Sequence, residues 1–173
     1  MEMNELKNYI RDVPNFPKPG IIFKDMTPLL MIPEALSKVI DLFVHKFSDK
    51  KIGKIIGIES RGFIFGSALA LKMGVGFVPV RKKGKLPWKT TAEEYSLEYG
   101  TDTVEIHADA LSPNERVLIV DDLLATGGTA AATARLVAKQ KAVVESFAFV
   151  VELDFLSGRK QLGSTHVESL IHY

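Results

Sequence analysis

The chain has 173 residues, 46% of them hydrophobic, a formal net charge of +1 and no cysteine. That length supports one domain with a real core, and the near-neutral charge argues against a nucleic-acid footprint or a polybasic membrane patch. Without cysteine there is neither a disulfide framework nor a thiolate nucleophile. With no apolar leader in residues 1–12 and no run long enough to cross a bilayer, the expectation is a cytoplasmic protein. Leu6, Tyr9 and Ile10 stand at helical spacing and predict a short opening helix. Pro14, Pro17, Pro19 and Gly20 then oppose regular structure, and Ile21, Ile22 and Phe23 form a brief apolar run. Pro33 suits a first helical turn, followed by the stripe Leu36, Val39, Ile40, Phe43 and Phe47. Residues 55–58 read as a buried strand. Residues 63–73 read as a small-residue helix stopped by Gly74, and 76–80 as a strand whose Pro79 marks an edge or an end. Residues 81–94 are charged and aperiodic, which predicts a long mobile loop. Tyr95, Leu97 and Tyr99, then Val104 and Ile106, alternate with polar residues around Gly100, as in a hairpin. Residues 117–120 and 146–151 are further strands, and a helix follows Thr129. Strands alternating with helices predict a parallel α/β sheet. The four histidines lack metal-ligand spacing and are read as incidental.

Residues 117–129 carry the strongest chemical signal. Four apolar residues make a buried strand, Asp121 and Asp122 close it, and Ala125, Thr126, Gly127, Gly128 and Thr129 lead into a helix. Glycines let backbone approach an anion, and the free N–H groups and dipole at the helix start attract it. Thr126 and Thr129 add hydroxyl donors. The two carboxylates repel a phosphate and suit a diol or a hydrated cation instead. A sugar phosphate offers both ends. The plainer alternative is that the acids cap the helix and the glycines make an ordinary turn. The loop is neither a Walker loop nor a dinucleotide fingerprint.

Two other segments begin at strand ends, where parallel sheets bind ligands. Ser60 and Arg61 open a helix, and an arginine there opposes the dipole unless an anion sits nearby. Arg81, Lys82, Lys83 and Lys85 form a charge run, read either as a solvated face or as a lid. Glu98 beside its turn is, on its own, an ordinary solvent-facing residue, and Phe23 on its own is ordinary core.

Residues 117–129, together with 11–25, 58–63, 80–87 and 97–100 in that order, resemble the type I phosphoribosyltransferases and, among them, the adenine-using family. The resemblance covers most of the chain. It implies a mainly parallel central sheet flanked by helices, in one domain over 1–173. Residues 1–32 would form a small hood that binds the base, and 81–107 a flexible lid and β-hairpin. The implied reaction joins adenine to 5-phosphoribosyl diphosphate (PRPP), giving AMP and diphosphate with Mg²⁺ in purine salvage. Glu98 and Arg61 would be catalytic, Glu98 managing the proton on the purine imidazole. Phe23 would stack on adenine, main-chain groups of Ile22 and Lys24 would read its amino edge, and Leu123 would close the other face. Asp121 and Asp122 would hold the ribose hydroxyls and orient a Mg²⁺ bound mainly by substrate, through its waters. Residues 125–129 would take the 5′-phosphate. Ser60, Arg61, Arg81, Lys82 and Lys85 would take the diphosphate, with lid residues reaching the neighbouring site of a homodimer. A non-proline cis peptide is often found at the Ser60 loop of such proteins. Trp88 stands where relatives carry a small residue, and 139–142 lack the usual helix-ending glycine. Three alternatives remain: an enzyme for another purine base, a PRPP-binding regulator without catalysis, and a generic phosphosugar-binding module.

Overall fold

The computed structural model describes residues 3–97 and 100–173. After a 3₁₀ turn over Met3–Tyr9, strands β1 (Arg11–Pro14) and β2 (Ile22–Asp25) pair antiparallel as a two-stranded ribbon. Helices α1 (Thr27–Met31) and α2 (Pro33–Phe47) follow, then β3 (Lys54–Ile58), α3 (Arg61–Met73) and β4 (Gly76–Lys82). The hairpin β5 (Thr90–Ser96) and β6 (Thr101–His107) leads to β7 (Arg116–Leu124), α4 (Gly128–Lys139), β8 (Val143–Glu152) and β9 (His166–His172). The main sheet has the order β5-β6-β4-β3-β7-β8-β9. Strands β4, β3, β7, β8 and β9 run parallel, and the hairpin joins antiparallel at β4. Among the described residues no helix is long and apolar enough to cross a membrane.

Period-two alternation explains why helices cover both faces. Ile55, Leu118, Val120, Ala148 and Val150 point to the side packed by α2 and α3. Their neighbours Ile56, Ile58, Val117, Ile119, Phe147 and Phe149 point to the side packed by α4. The α2 stripe holds as its spacing predicts, with Val39, Ile40, Phe43 and Phe47 buried. Gly74 ends α3 in the left-handed conformation. Pro79 fits its position as well. Val80 accepts from the Glu59 N–H on the β3 side, so the adjacent Pro79 faces outward. There β6 pairs only with Arg81 and Lys82, and no ladder bond is lost.

Several elements depart from the reading of the sequence. Pro14 ends β1 opposite Ile22 rather than excluding a strand, because a ribbon end needs no further donor. The irregular stretch after β4 is short, since β5 begins at Thr90. Its polar residues hid it: Glu93 faces α4 and pairs with Arg135 at 2.5 Å and Lys139 at 2.6 Å. Strand β7 does not stop at the acidic pair. It loses β3 after Val120 but continues beside β8 to Leu124. Residues 166–172, which carried no clear signal, form the edge strand β9. Trp88 lies edge-on to His107 at 6.3 Å and remains half exposed.

Candidate active site

The C-terminal ends of β3 and β7 converge through the first turn of α3. Gly62 lies so near β7 that an added Cβ would stand 2.8 Å from both the Val120 carbonyl and Asp121 Oδ1. Only a glycine lets this helix start against the acidic pair. Glu59 and Ser60 meet in a cis peptide bond. Arg61 leaves the first turn and forms an ion pair with Asp122, whose carboxylate is almost fully buried. Burial opposes the Arg61 charge, but Asp122 outweighs it and holds the guanidinium more firmly protonated than usual. Burial, reinforced by the charge of Asp122, pushes the Asp121 carboxyl well above the usual carboxylate range. The Asp122 N–H donates to Asp121 Oδ1 at 2.9 Å.

Two cavities adjoin here. One, of about 90 Å³, is lined by residues 123–130 together with Asp121 and Phe149. It takes in all five residues of the expected phosphate loop. Gly127 has φ +86° and no side chain caps α4, so the helix's first N–H groups lack an internal partner. The second, of about 180 Å³, is lined by Ile58, Glu59, Ser60, Arg61, Lys82, Asp121, Asp122, Leu123 and Thr129. Asp121, Leu123 and Thr129 belong to both.

The structure also separates residues that the sequence grouped. Arg81 and Lys82 alternate on β4 and face opposite ways. Lys82 lines the second cavity, whereas Arg81 turns to Glu59 through bonds of 3.2 and 3.3 Å. Lys85 supplies its carbonyl to Arg81 at 3.3 Å. Burial favours the neutral form of Glu59, but the Lys82 N–H and the Arg81 guanidinium hold its carboxyl below the usual range. The Phe23 ring faces the Arg61 guanidinium at 5.7 Å. The Ile22 and Lys24 side chains leave that face and line a separate apolar cavity of about 430 Å³ with Leu153, Phe155 and Tyr173. Only their main chain is left to serve the Phe23 side. Glu98 lies outside the described residues.

Sequence reasoning missed several contributors. Glu59 fixes Arg81 and the β4 end. Tyr95 and Asp102 hold Lys82 from the hairpin. Gly158 lies far along the chain from the expected phosphate loop yet touches it: a Cβ on Gly127 would stand 2.5 Å from its carbonyl. Next to it, Arg159 grips the buried Glu152 with two bonds of 2.7 Å. His172, read as incidental, pairs with Asp154 at 2.9 Å beside that grip. Nothing local in the sequence ties Gly158 or Arg159 to the loop.

Residues 26–165 match the phosphoribosyl transferase domain family. An adenine phosphoribosyltransferase of Acaryochloris marina is 55% identical over 169 residues, covering 98% of this chain and 99% of that protein. The crystal structure of adenine phosphoribosyltransferase from Thermoanaerobacter pseudethanolicus superposes with a TM-score of 0.97 at 50% identity, covering 99% of this chain and all of that one. The enzyme from Saccharomyces cerevisiae, complexed with D-2,5-dideoxy-2,5-imino-altritol 1,6-bisphosphate and adenine, gives 0.92 at 46% identity over 97% of each chain. A sheet of five parallel strands with a paired hairpin, a glycine-rich loop behind an acidic pair and these relatives agree: the chain belongs to the adenine phosphoribosyltransferase family.

Proposed function

We propose that the two adjoining cavities take PRPP and that Phe23 presents adenine to it, so that the chain forms AMP and diphosphate in purine salvage. The observation that carries the assignment is the shared wall of Asp121, Leu123 and Thr129. A sugar over that wall would reach an anion-accepting helix start on one side and Arg61 and Lys82 on the other. The yeast relative's bisphosphate and adenine ligands support the same division. Residues 125–129 take the 5′-phosphate through backbone N–H groups and hydroxyls. Asp121 and Asp122 accept from the ribose hydroxyls. Ser60, Arg61 and Lys82 meet the diphosphate.

As the bond from the anomeric carbon to diphosphate breaks, positive charge develops on the sugar and negative charge on the leaving group. Arg61 and Lys82 stabilise the latter, and purine N9 forms the new bond. Glu98 takes up the proton released from the imidazole ring. Main-chain groups of Ile22 and Lys24 prefer the 6-amino edge of adenine to a 6-oxo edge, because a carbonyl accepts a hydrogen bond but donates none. Leu123 closes the other face of the base. The two carboxylates fit water-mediated contact with a substrate-held Mg²⁺, which when bound offsets diphosphate charge. Residues 1–32 act as the hood and 81–107 as lid and hairpin. Arg81 lines neither of its own chain's cavities, which fits a homodimer in which Arg81 and Lys85 serve the neighbouring site. The cytoplasm is the compartment that fits.

The test offers adenine, hypoxanthine, guanine and xanthine separately, with PRPP and Mg²⁺, in a spectrophotometric assay. AMP from adenine alone is expected. Turnover of another base overturns the role of residues 22–24, and PRPP binding without turnover makes the chain a sensor.

A further inference from the structure

Tyr95 belongs to no motif, yet its side chain is 6% exposed and its hydroxyl joins three other groups. It accepts from Lys82 Nζ at 2.8 Å and from Thr129 Oγ1 at 3.2 Å, and it donates to the Asp102 carboxylate, also at 3.2 Å. Lys82 donates to the same Asp102 oxygen. A phenol has one proton and two lone pairs, so every bond the oxygen can make is in use. Thr129 belongs to the phosphate loop and Lys82 to the wall of the adjoining cavity.

We propose that Tyr95 is a positioning residue that couples the 5′-phosphate loop to the Lys82 arm. The inference rests on the PRPP assignment above. Thr129 has a single hydroxyl proton, which points at Tyr95. A phosphate in the loop draws that proton to itself, and the Thr129 oxygen then becomes an acceptor. The Tyr95 proton has two acceptors at the same 3.2 Å separation, Asp102 and Thr129. Turning to Thr129 aligns every donor in one direction, from Lys82 through Tyr95 and Thr129 to the phosphate. Such a chain is cooperatively strengthened. Lys82 keeps Asp102 as its counter-charge and a third N–H for the diphosphate. Filling one end of the donor site thereby fixes the cation at the other.

Tyr95→Phe keeps the ring and removes the junction. Calorimetry with Mg²⁺ would use PRPP, ribose 5-phosphate and inorganic diphosphate as probes. In the wild type, saturating ribose 5-phosphate should tighten diphosphate binding. In Tyr95→Phe that tightening should vanish, and PRPP affinity should fall roughly tenfold, the loss of one buried hydrogen-bonding junction. Because Tyr95 acts through Lys82, the double variant Tyr95→Phe/Lys82→Met should lose no more affinity than Lys82→Met alone. Thr129→Val breaks the chain at its other end and should abolish the tightening without touching the tyrosine. Unchanged tightening in both variants, or additive losses in the double variant, overturns the inference while leaving the PRPP assignment intact. A wild-type protein that binds no PRPP overturns both.

Discussion

The two halves of the proposed donor site are held by different physics. The proposed phosphate loop is fixed by backbone against backbone: Gly127 in the left-handed region faces the Gly158 carbonyl, and Gly158 in turn abuts the Ala125 carbonyl. The opposite half is fixed by charge. Arg61 is held by Asp122, Arg81 by Glu59 and Lys82 by Asp102, each an ion pair between different segments of the chain. A phosphate with one fixed geometry suits an inflexible cradle. A diphosphate that must leave suits side chains able to exchange partners. The first half should therefore fail when a methyl group is added, and the second when a charge is removed.

The largest expected effect follows from Gly158→Ala. Its Cβ would stand 2.3 Å from the Ala125 carbonyl and 3.0 to 3.1 Å from the Leu124 side chain, so the loop backbone would have to shift. PRPP affinity should drop about 10- to 100-fold, the equivalent of the 1–3 kcal/mol that overpacking commonly costs. Retained affinity would show that the loop adapts and is not an inflexible cradle.

Removing charge from the other half should cost less. Asp122→Asn leaves the half-exposed Arg61 with a neutral partner, and PRPP affinity should fall about tenfold. The same substitution should leave ribose 5-phosphate, which lacks the diphosphate, less affected. Equal losses for both ligands in calorimetry would place Asp122 on the ribose alone.

Asp121→Asn sharpens the contrast because stability and binding should move in opposite directions. The folded pKa of Asp121 lies above its value in the unfolded chain, about 3.9. Between those two values the folded state binds more protons, so stability falls as pH rises through that window. Keeping this carboxyl buried is thus a cost to the fold at pH 7. The amide variant should gain about 1 kcal/mol at pH 7, a rise of some 2–4 °C in Tm, and lose most of that advantage below about pH 4. Weaker PRPP binding should accompany the gain. A variant that melts lower at pH 7 would refute the burial argument.

The sequence revealed the two halves unequally for the same physical reason. Residues 121–129 form one continuous strand, turn and helix start, so residue type and spacing alone expose them. Gly158 supports that loop from a turn after β8, and nothing local marks a glycine whose constraint lies in a distant carbonyl. Tyr95 was visible as a strand residue, but in a hairpin arm placed too late in the chain. The arm runs over Thr90–Ser96, and its acidic Glu93 answers cations on α4 instead of joining an apolar face. Period-two reasoning detects apolar faces and misses strands whose partners are charges. Arg81 and Lys82 show a related limit: a charge run names the cations, while strand alternation sends them to opposite sides.

The smallest expected effect lies away from both halves, at the end of α4. Helix α3 closes with Gly74 at φ +69°, whereas the turn after α4 places Lys141 at φ +60°. Lys141 fills the place where the missing glycine would stand: its N–H donates to the Ala138 carbonyl at 2.9 Å, and its own carbonyl accepts from Asn114. A residue with a Cβ pays for this left-handed conformation with steric strain that glycine lacks. Lys141→Gly should therefore stabilise the fold by about 0.5–1 kcal/mol, even though glycine gives the unfolded chain more freedom. Thermal melting would show a rise of roughly 1–4 °C for a chain of this size. The neighbouring Gln140 already anchors the turn by accepting from Leu111 N–H and donating to the His107 carbonyl, so the backbone path should persist. PRPP affinity should not change, because the start of α4, and not its end, faces the cavity. If affinity moved with stability, α4 would be transmitting strain along its length, and the phosphate loop could no longer be treated as fixed by its own backbone contacts.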